Sequence, residues 1–356
     1  MSWHLRDLTL ATGAPTGEGP SSGFVFEARG TQHVVYVGEV GGKLHMHELW
    51  RDRDGWHHND LTKITHAPVA ANAGNGYVFR CTMHVVSLGT GPGSVAEFSS
   101  DGGGWHYVDL AQASGSAAET VTGAAFGYAF PERGTQHVLF IGIGGPIYEY
   151  WWDKNGWHFN NLGLAAAGAP AATGNPTGYV FEAQATQHVN YVDANSHVSE
   201  LWRDSSGWHW NDLTAATGAP LAQVNRNTPG YVFPSQGTQH VNYVAVDNHI
   251  HELWWDVGGW HHNDLTVATG APDSQTAPSG YMYAATQHVN YLGADNHIHE
   301  LWWDSAGWHD NDLTNAVGGP PSVDAEPRGY AFEAQGSQHV IYTDDSGHVI
   351  ELYWTP

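Results

Sequence analysis

Histidines and regularly placed glutamates are the groups in this chain best suited to chemistry, with 25 histidines among 356 residues. Imidazole can ligate metals or carry protons, and a carboxylate can act as a general acid. Their spacing argues for repetition rather than a single active centre. Histidine follows Gln (once Met) at His33, His84, His137, His188, His240, His288 and His339, and follows Trp at His4, His57, His106, His158, His209, His261 and His309. Both positions persist in residues 76–110, where the surrounding motif has decayed, which points to a structural task such as donation to a neighbouring backbone carbonyl. The pairs His45/His47, His249/His251 and His297/His299 place two imidazoles on one strand face, a zinc or copper pattern if further ligands join. Glu252 beside His251 would point to the opposite face, so no metal is expected. Glutamate recurs at Glu48, Glu97, Glu149, Glu200, Glu252, Glu300 and Glu351. Catalysis by paired carboxylates needs two groups in unlike environments, which equivalent copies do not provide. Cys81 is the only cysteine, so it has no disulfide partner, and no Cys/His motif surrounds it. Nucleophile-elbow, Walker and dinucleotide motifs are absent, and neither a catalytic residue nor a cofactor is expected.

The elements that carry these residues form a period of about 50 residues. Gly-aromatic steps at Phe24, Tyr77, Tyr128, Tyr179, Tyr231, Tyr281 and Tyr330 recur in phase with the glutamates and the Trp-His pairs. Within 230–265 the runs GYVF, TQHVNYV, HIHELWWD and GWHHNDLT read as four short strands, separated by turn-forming segments such as DVGG. No segment sustains helical periodicity over three turns. The chain opens on the fourth strand type, Trp3–Thr9, and ends on the third, His348–Trp354. Pairing the two completes the last unit and removes open edges. The expected fold is therefore all-β: one seven-bladed propeller over 1–356, with blades near 23–61, 76–110, 127–162, 178–213, 230–265, 280–313, and 329–354 plus 3–9.

A net charge of −24 with only 12 Lys and Arg excludes nucleic acid and anionic membranes as partners. No apolar run approaches a membrane span, and the opening MSWHLRDLTL has no apolar signal core. These features point to a soluble protein made in the cytoplasm, any release following a non-classical route.

Aromatic surface flanked by neutral hydrogen-bonding groups remains to be explained. Tryptophans of the third and fourth strands meet the Gln that opens the second, as in Trp255, Trp260 and Gln239, or Trp303, Trp308 and Gln287. Inter-blade packing accounts for part of this set. The third position after the glutamate alternates among Arg51, Ser100, Trp152, Arg203, Trp255 and Trp303, as a ligand-facing position would. Asn190, Asn242 and Asn290 replace the aliphatic Val35, Val86, Leu139 and Ile341 of other blades, and an amide in a sheet costs free energy without a partner. Blade 2 departs most, with CTMHVV and AEFSSDGG, and reads as a spacer.

TQHVNYV, HIHELWWD and GWHHNDLT, repeated over nearly the whole chain, resemble the Photorhabdus-type seven-bladed propeller lectins. The resemblance implies a multivalent lectin with no enzymatic activity or essential metal. It would bind L-fucose and related or O-methylated sugars, with galactose a further candidate, in shallow sites repeated between blades. Its partners would be glycans or glycoconjugates on cell surfaces, and several family members are oligomers. The carbohydrate-contacting residues expected here are Trp152, Gln187, Asn190, Arg203, Trp208, Gln239, Asn242, Trp255, Trp260, Gln287, Asn290, Trp303 and Trp308. Two alternatives share the fold: a glycan-active hydrolase or lyase, and a protein-interaction platform.

Overall fold

The second strand of each repeat is buried along most of its length; Thr186–Val192 and Thr238–Val244 are buried throughout. A strand covered on both faces needs a sheet on either side, and a ring of radially packed sheets supplies that. In a computed structural model, which describes residues 2–356 apart from 90, 92, 117–118 and 323–325, the chain forms seven four-stranded antiparallel sheets. Blade 4 is representative: Thr177–Phe181 is innermost, followed outward by Thr186–Val192, Val198–Arg203 and Trp208–Asp212. Consecutive innermost strands touch around the whole circle. Ser2–Asp7 pairs with Val349–Thr355, Trp3 opposite Trp354 and Asp7 opposite Ile350, and so provides the outer strand of blade 7.

The Gly-aromatic step sets the spacing between innermost strands. The ring of Tyr128 in blade 3 lies against Gly178 of blade 4 so closely that a Cβ there would overlap it. The same holds at every joint, from Tyr330 on Gly23 and Phe24 on Gly76 to Tyr281 on Gly329. Glycine is required here for close approach rather than for an unusual φ.

The fourth strand is shorter than the run GWHHNDLT suggests. It stops at the aspartate, and Leu-Thr opens a one-turn helix, as in Gly259–Asp264 followed by Leu265–Thr269. Asp264 Oδ1 accepts the Val267 N–H at 2.9 Å as N-cap, while Thr266 Oγ1 accepts the Ile250 N–H of the third strand at 2.9 Å. Asp7, Asp60, Asp109, Asn161, Asp212 and Asp312 cap equivalent turns. Four or five residues cannot display a helical period, which is why the sequence shows none. The innermost strands of blades 2 and 3 begin earlier than expected, at Ala70 and Val121, and each contains a register shift.

Candidate functional site

Strand alternation gives each blade two faces with different chemistry. On the first, the Gln-His histidine stacks on the inner-strand aromatic, as His188 does on Tyr179 with centroids 5.0 Å apart. Its Nδ1–H donates to the third-strand glutamate at 2.8–2.9 Å in all seven blades. Its Nε2 lies 2.7–2.8 Å from a Thr or Ser hydroxyl two residues earlier. The structural role read from the sequence holds, but the partners are side chains rather than backbone carbonyls. Further out, the Asn59, Asn263 and Asn311 amides donate to the second oxygen of Glu48, Glu252 and Glu300. The Trp-His histidines anchor hairpins: His57, His158, His209, His261 and His309 sit 2.9–3.1 Å from a turn aspartate. Each also stacks at 4.2–4.3 Å on the Trp two residues after the glutamate: Trp50, Trp151, Trp202, Trp254 and Trp302. The rings that border the inter-blade clefts are thereby fixed before any ligand arrives.

The second face meets the first face of the preceding blade. Gln187, Arg203 and Trp208 lie side by side across three strands of blade 4, as do Gln239, Trp255 and Trp260 in blade 5 and Gln287, Trp303 and Trp308 in blade 6. Each Gln is bound to a tyrosine of the preceding blade: Tyr128 with Gln187 at 2.7 Å, Tyr179 with Gln239 at 3.1 Å and Tyr231 with Gln287 at 3.0 Å. Burial, reinforced by the adjacent glutamate, pushes these phenols well above their usual pKa, so the hydroxyl proton is retained. Only the blade 1/blade 2 joint lacks the pair, and there both members changed together: Phe24 has no hydroxyl and Met83 no amide.

The blade 3/blade 4 and blade 1/blade 2 clefts are open. The blade 3/blade 4 cleft, about 270 Å³, is lined by Thr135, His137, Glu149, Trp151 and Asn160 on one side and by Gln187, Arg203 and Trp208 on the other. Glu149 Oε1 accepts from His137 and from the Gln187 amide, both at 2.8 Å. The cleft joins a carboxylate acceptor, a guanidinium donor and two indoles. The blade 1/blade 2 cleft, about 240 Å³, has His33, Glu48, Trp50 and Asn59 facing Met83 and Trp105, with Arg29 at its rim. Blade 2 therefore supplies one wall of an open cleft and is not merely a spacer.

At the blade 2/blade 3, blade 4/blade 5 and blade 5/blade 6 joints the third position after the glutamate is Trp, and it packs edge-on against the preceding blade. Trp152 lies 6.0 Å from Phe79, Trp255 6.4 Å from Phe181, and Trp303 6.1 Å from Phe233. An indole here takes the place that Arg203 has in the blade 3/blade 4 cleft. Arg51 holds the same position at the blade 7/blade 1 joint, where Arg6 donates to Glu351 at 3.1 Å and lies over the Tyr353 ring.

Of the expected contact residues, Gln187, Arg203 and Trp208 converge on one open cleft, and Trp152, Trp255, Trp260, Trp303 and Trp308 stand at the corresponding wall positions of others. Gln187, Gln239 and Gln287 are all buried joint residues at 1–4% exposure, and of the three Gln187 borders the blade 3/blade 4 cleft. Asn190, Asn242 and Asn290 do not reach a cleft. They are wholly buried beside Gly230, Gly280 and Gly329 of the next innermost strand and line neither cleft, so a role in sugar contact is corrected to an interior one. The residues missed were Glu149, Trp151 and Asn160, with Glu48, Trp50 and Asn59 in the other open cleft. The signal was available: in Glu-x-Trp the i and i+2 side chains share a face.

No family model matches the sequence, and no curated protein matches it. Solved structures do. BP39L lectin from Burkholderia pseudomallei aligns over 96% of both chains at 14% identity with a TM-score of 0.69. A lectin from Aleuria aurantia, solved with α-methyl-L-fucoside, aligns over 83% of this chain and 96% of its own at 15% identity and a TM-score of 0.55. AofleA from Arthrobotrys oligospora aligns over 87% and 90% at 12% identity and a TM-score of 0.56. The Aleuria lectin is described as a six-bladed propeller, which accounts for its covering close to six-sevenths of the present ring. At these identities the likeness shows the fold: this chain has the propeller architecture of those lectins, with seven blades.

Proposed function

We propose that the chain is a lectin that holds single sugar residues between its blades, with L-fucose and related or O-methylated sugars as preferred ligands and galactose as a weaker one. The observation that carries this reading is the blade 3/blade 4 cleft. A deoxysugar presents a methyl and an apolar ring face, which suit Trp151 and Trp208, while its hydroxyls need an acceptor and donors such as Glu149 and Arg203. A cleft of about 270 Å³ is sized for one ring, below the roughly 300–1,000 Å³ of drug-sized ligand sites. Solved lectins of the same fold are described with bound α-methyl fucoside, which supports the choice of sugar. Each open cleft has one carboxylate in its lining, whereas glycoside hydrolysis uses two flanking the scissile bond. That favours binding over catalysis.

Shallow single-sugar sites of this kind have Kd values of about 10⁻⁵–10⁻³ M. Two or more on a rigid ring raise avidity for a glycan-coated surface by a factor of roughly 100 or more where geometry allows. Isothermal calorimetry with methyl α-L-fucoside is the test. At least two sugars per chain are expected. One per chain would refute repeated sites, and no binding of fucosylated or galactosylated ligands would refute the lectin reading.

A further inference from the structure

The strand ends opposite the aromatic clefts hold a second cluster of polar side chains. In blade 5, His249 immediately precedes the third strand, Ile250–Asp256, and His251 lies within it, directly across from Asp264 on the fourth. Asp247 comes from the turn that leads into the third strand. One donor atom from each of these four residues lies within 4.8 Å of the others. The seat is roofed by Asp247, whose side chain is 41% exposed, and floored by His251, at 1%.

We propose that blade 5 carries a site for a divalent transition-metal ion of the zinc class, with Asp247, His249, His251 and Asp264 as ligands. His251 Nε2 lies 3.3 Å from both oxygens of Asp247, whereas histidine–carboxylate pairs on the other blade face sit at 2.8–2.9 Å. A shared proton draws such a pair to the shorter distance. A tetrahedral ion with bonds of about 2.0–2.1 Å separates its ligands by roughly 3.3–3.4 Å, which matches the His251–Asp247 spacing, whereas His249 Nδ1 and Asp264 Oδ2 lie at a hydrogen-bond distance of 2.9 Å. Supporting contacts orient the donors as metal sites require. His251 Nδ1 is 2.9 Å from His262 Nε2, so a proton on Nδ1 leaves the Nε2 lone pair facing the seat. Asp264 commits Oδ1 to the helix cap and turns Oδ2 toward His249 at 2.9 Å. Two carboxylates neutralise the dication, and two imidazoles select a zinc-like ion over calcium or magnesium. The alternation argument against a metal concerned Glu252; here the further donors come from a turn and from the neighbouring strand.

Blade 6 has the same four residues, with His297 hydrogen-bonded to Asp312 at 2.7 Å, but its four donor atoms do not all converge, and the remaining blades lack part of the set. Blade 6 brings together three donors, Asp295, His299 and Asp312. Blade 4 has Ser199 in place of the second imidazole, and its hydroxyl donates to Asp193. Blade 1 has His45, His47 and Asp60, but its turn is Gly41-Gly42. Blade 5 is therefore expected to bind most tightly.

The test uses the full chain stripped with EDTA and titrated with ZnCl₂ by calorimetry, alongside thermal melts with and without zinc. One site per chain should saturate before any others, and zinc should raise the Tm. Asp247→Asn, at an exposed turn position, should weaken that site tenfold or more and remove its share of the Tm rise. His45→Asn in blade 1 should leave the tight site unchanged. Circular dichroism of each variant confirms that it is folded. The proposal is overturned if the wild type shows no site tighter than its general histidine binding, or if folded Asp247→Asn titrates like the wild type.

Discussion

The exception at the blade 1/blade 2 joint allows a quantitative test of how the ring is held. Six joints pair an inner-strand tyrosine with a glutamine of the next blade at 2.7–3.2 Å, whereas Phe24 faces Met83. Met83→Gln alone would place an amide where its NH₂ can reach Glu48, as Gln187 reaches Glu149, but its carbonyl would lack the phenol donor that Gln136, Gln239, Gln287 and Gln338 have. Leaving a buried acceptor unpaired costs about 1–3 kcal/mol. Phe24→Tyr alone buries a hydroxyl beside a thioether at a similar cost of about 1–2 kcal/mol. Together they recreate the pair present at the other joints, and the double variant should exceed the sum of the singles by about 1–3 kcal/mol. Equilibrium urea denaturation, followed by tryptophan fluorescence and checked for reversibility, measures the cycle through the midpoints. Additivity within about 0.5 kcal/mol would refute the claim that the Tyr-Gln bond couples adjacent blades.

Gly178→Ala should destabilise the chain by about 1–3 kcal/mol, since the new Cβ overlaps a Tyr128 ring tethered by Gln187; an unchanged urea midpoint would contradict the packing argument. Asn242→Val should leave sugar binding unchanged, because the amide is wholly buried and lines neither cleft; calorimetry of the folded variant checks this. Burial pushes the His47 pKa down to about 4, against the opposing pull of Asp60, with His58 and His45 adding to the depression. The unfolded chain, with an ordinary value near 6.5, then binds the proton first, so this contribution to stability is lost as pH falls from about 6.5 toward 4. His58, also lowered by burial, acts with the same sign. His47→Gln should flatten the acid limb of a stability–pH profile; an identical limb would exclude His47 as a source.

The ring and its closure were legible because they rest on repetition and on the phase of the two chain ends, which survive local substitution. The clefts were only half legible. A site shared by two blades takes its residues from two repeats, so grouping residues within one repeat mixes the walls of different clefts. In HIHELWWD, Glu252 and Trp254 belong to the blade 5/blade 6 cleft, whereas Trp255 faces blade 4. Asn190, Asn242 and Asn290 looked functional because a buried amide without a partner is costly, yet sequence does not show that their position abuts the next inner strand. The Leu-Thr steps after the N-cap aspartates were read as strand because a one-turn helix leaves no periodic trace, and the histidine partners were missed because they lie 12 to 15 residues away across a hairpin.

The most direct measurement is a crystal structure of the chain soaked with methyl α-L-fucoside. The account predicts sugar density between blades 3 and 4, with hydroxyls on Glu149 and Arg203 and the apolar side on Trp151 or Trp208, and a second copy between blades 1 and 2. Density confined to the central channel or the outer rim, with both clefts empty, would contradict it.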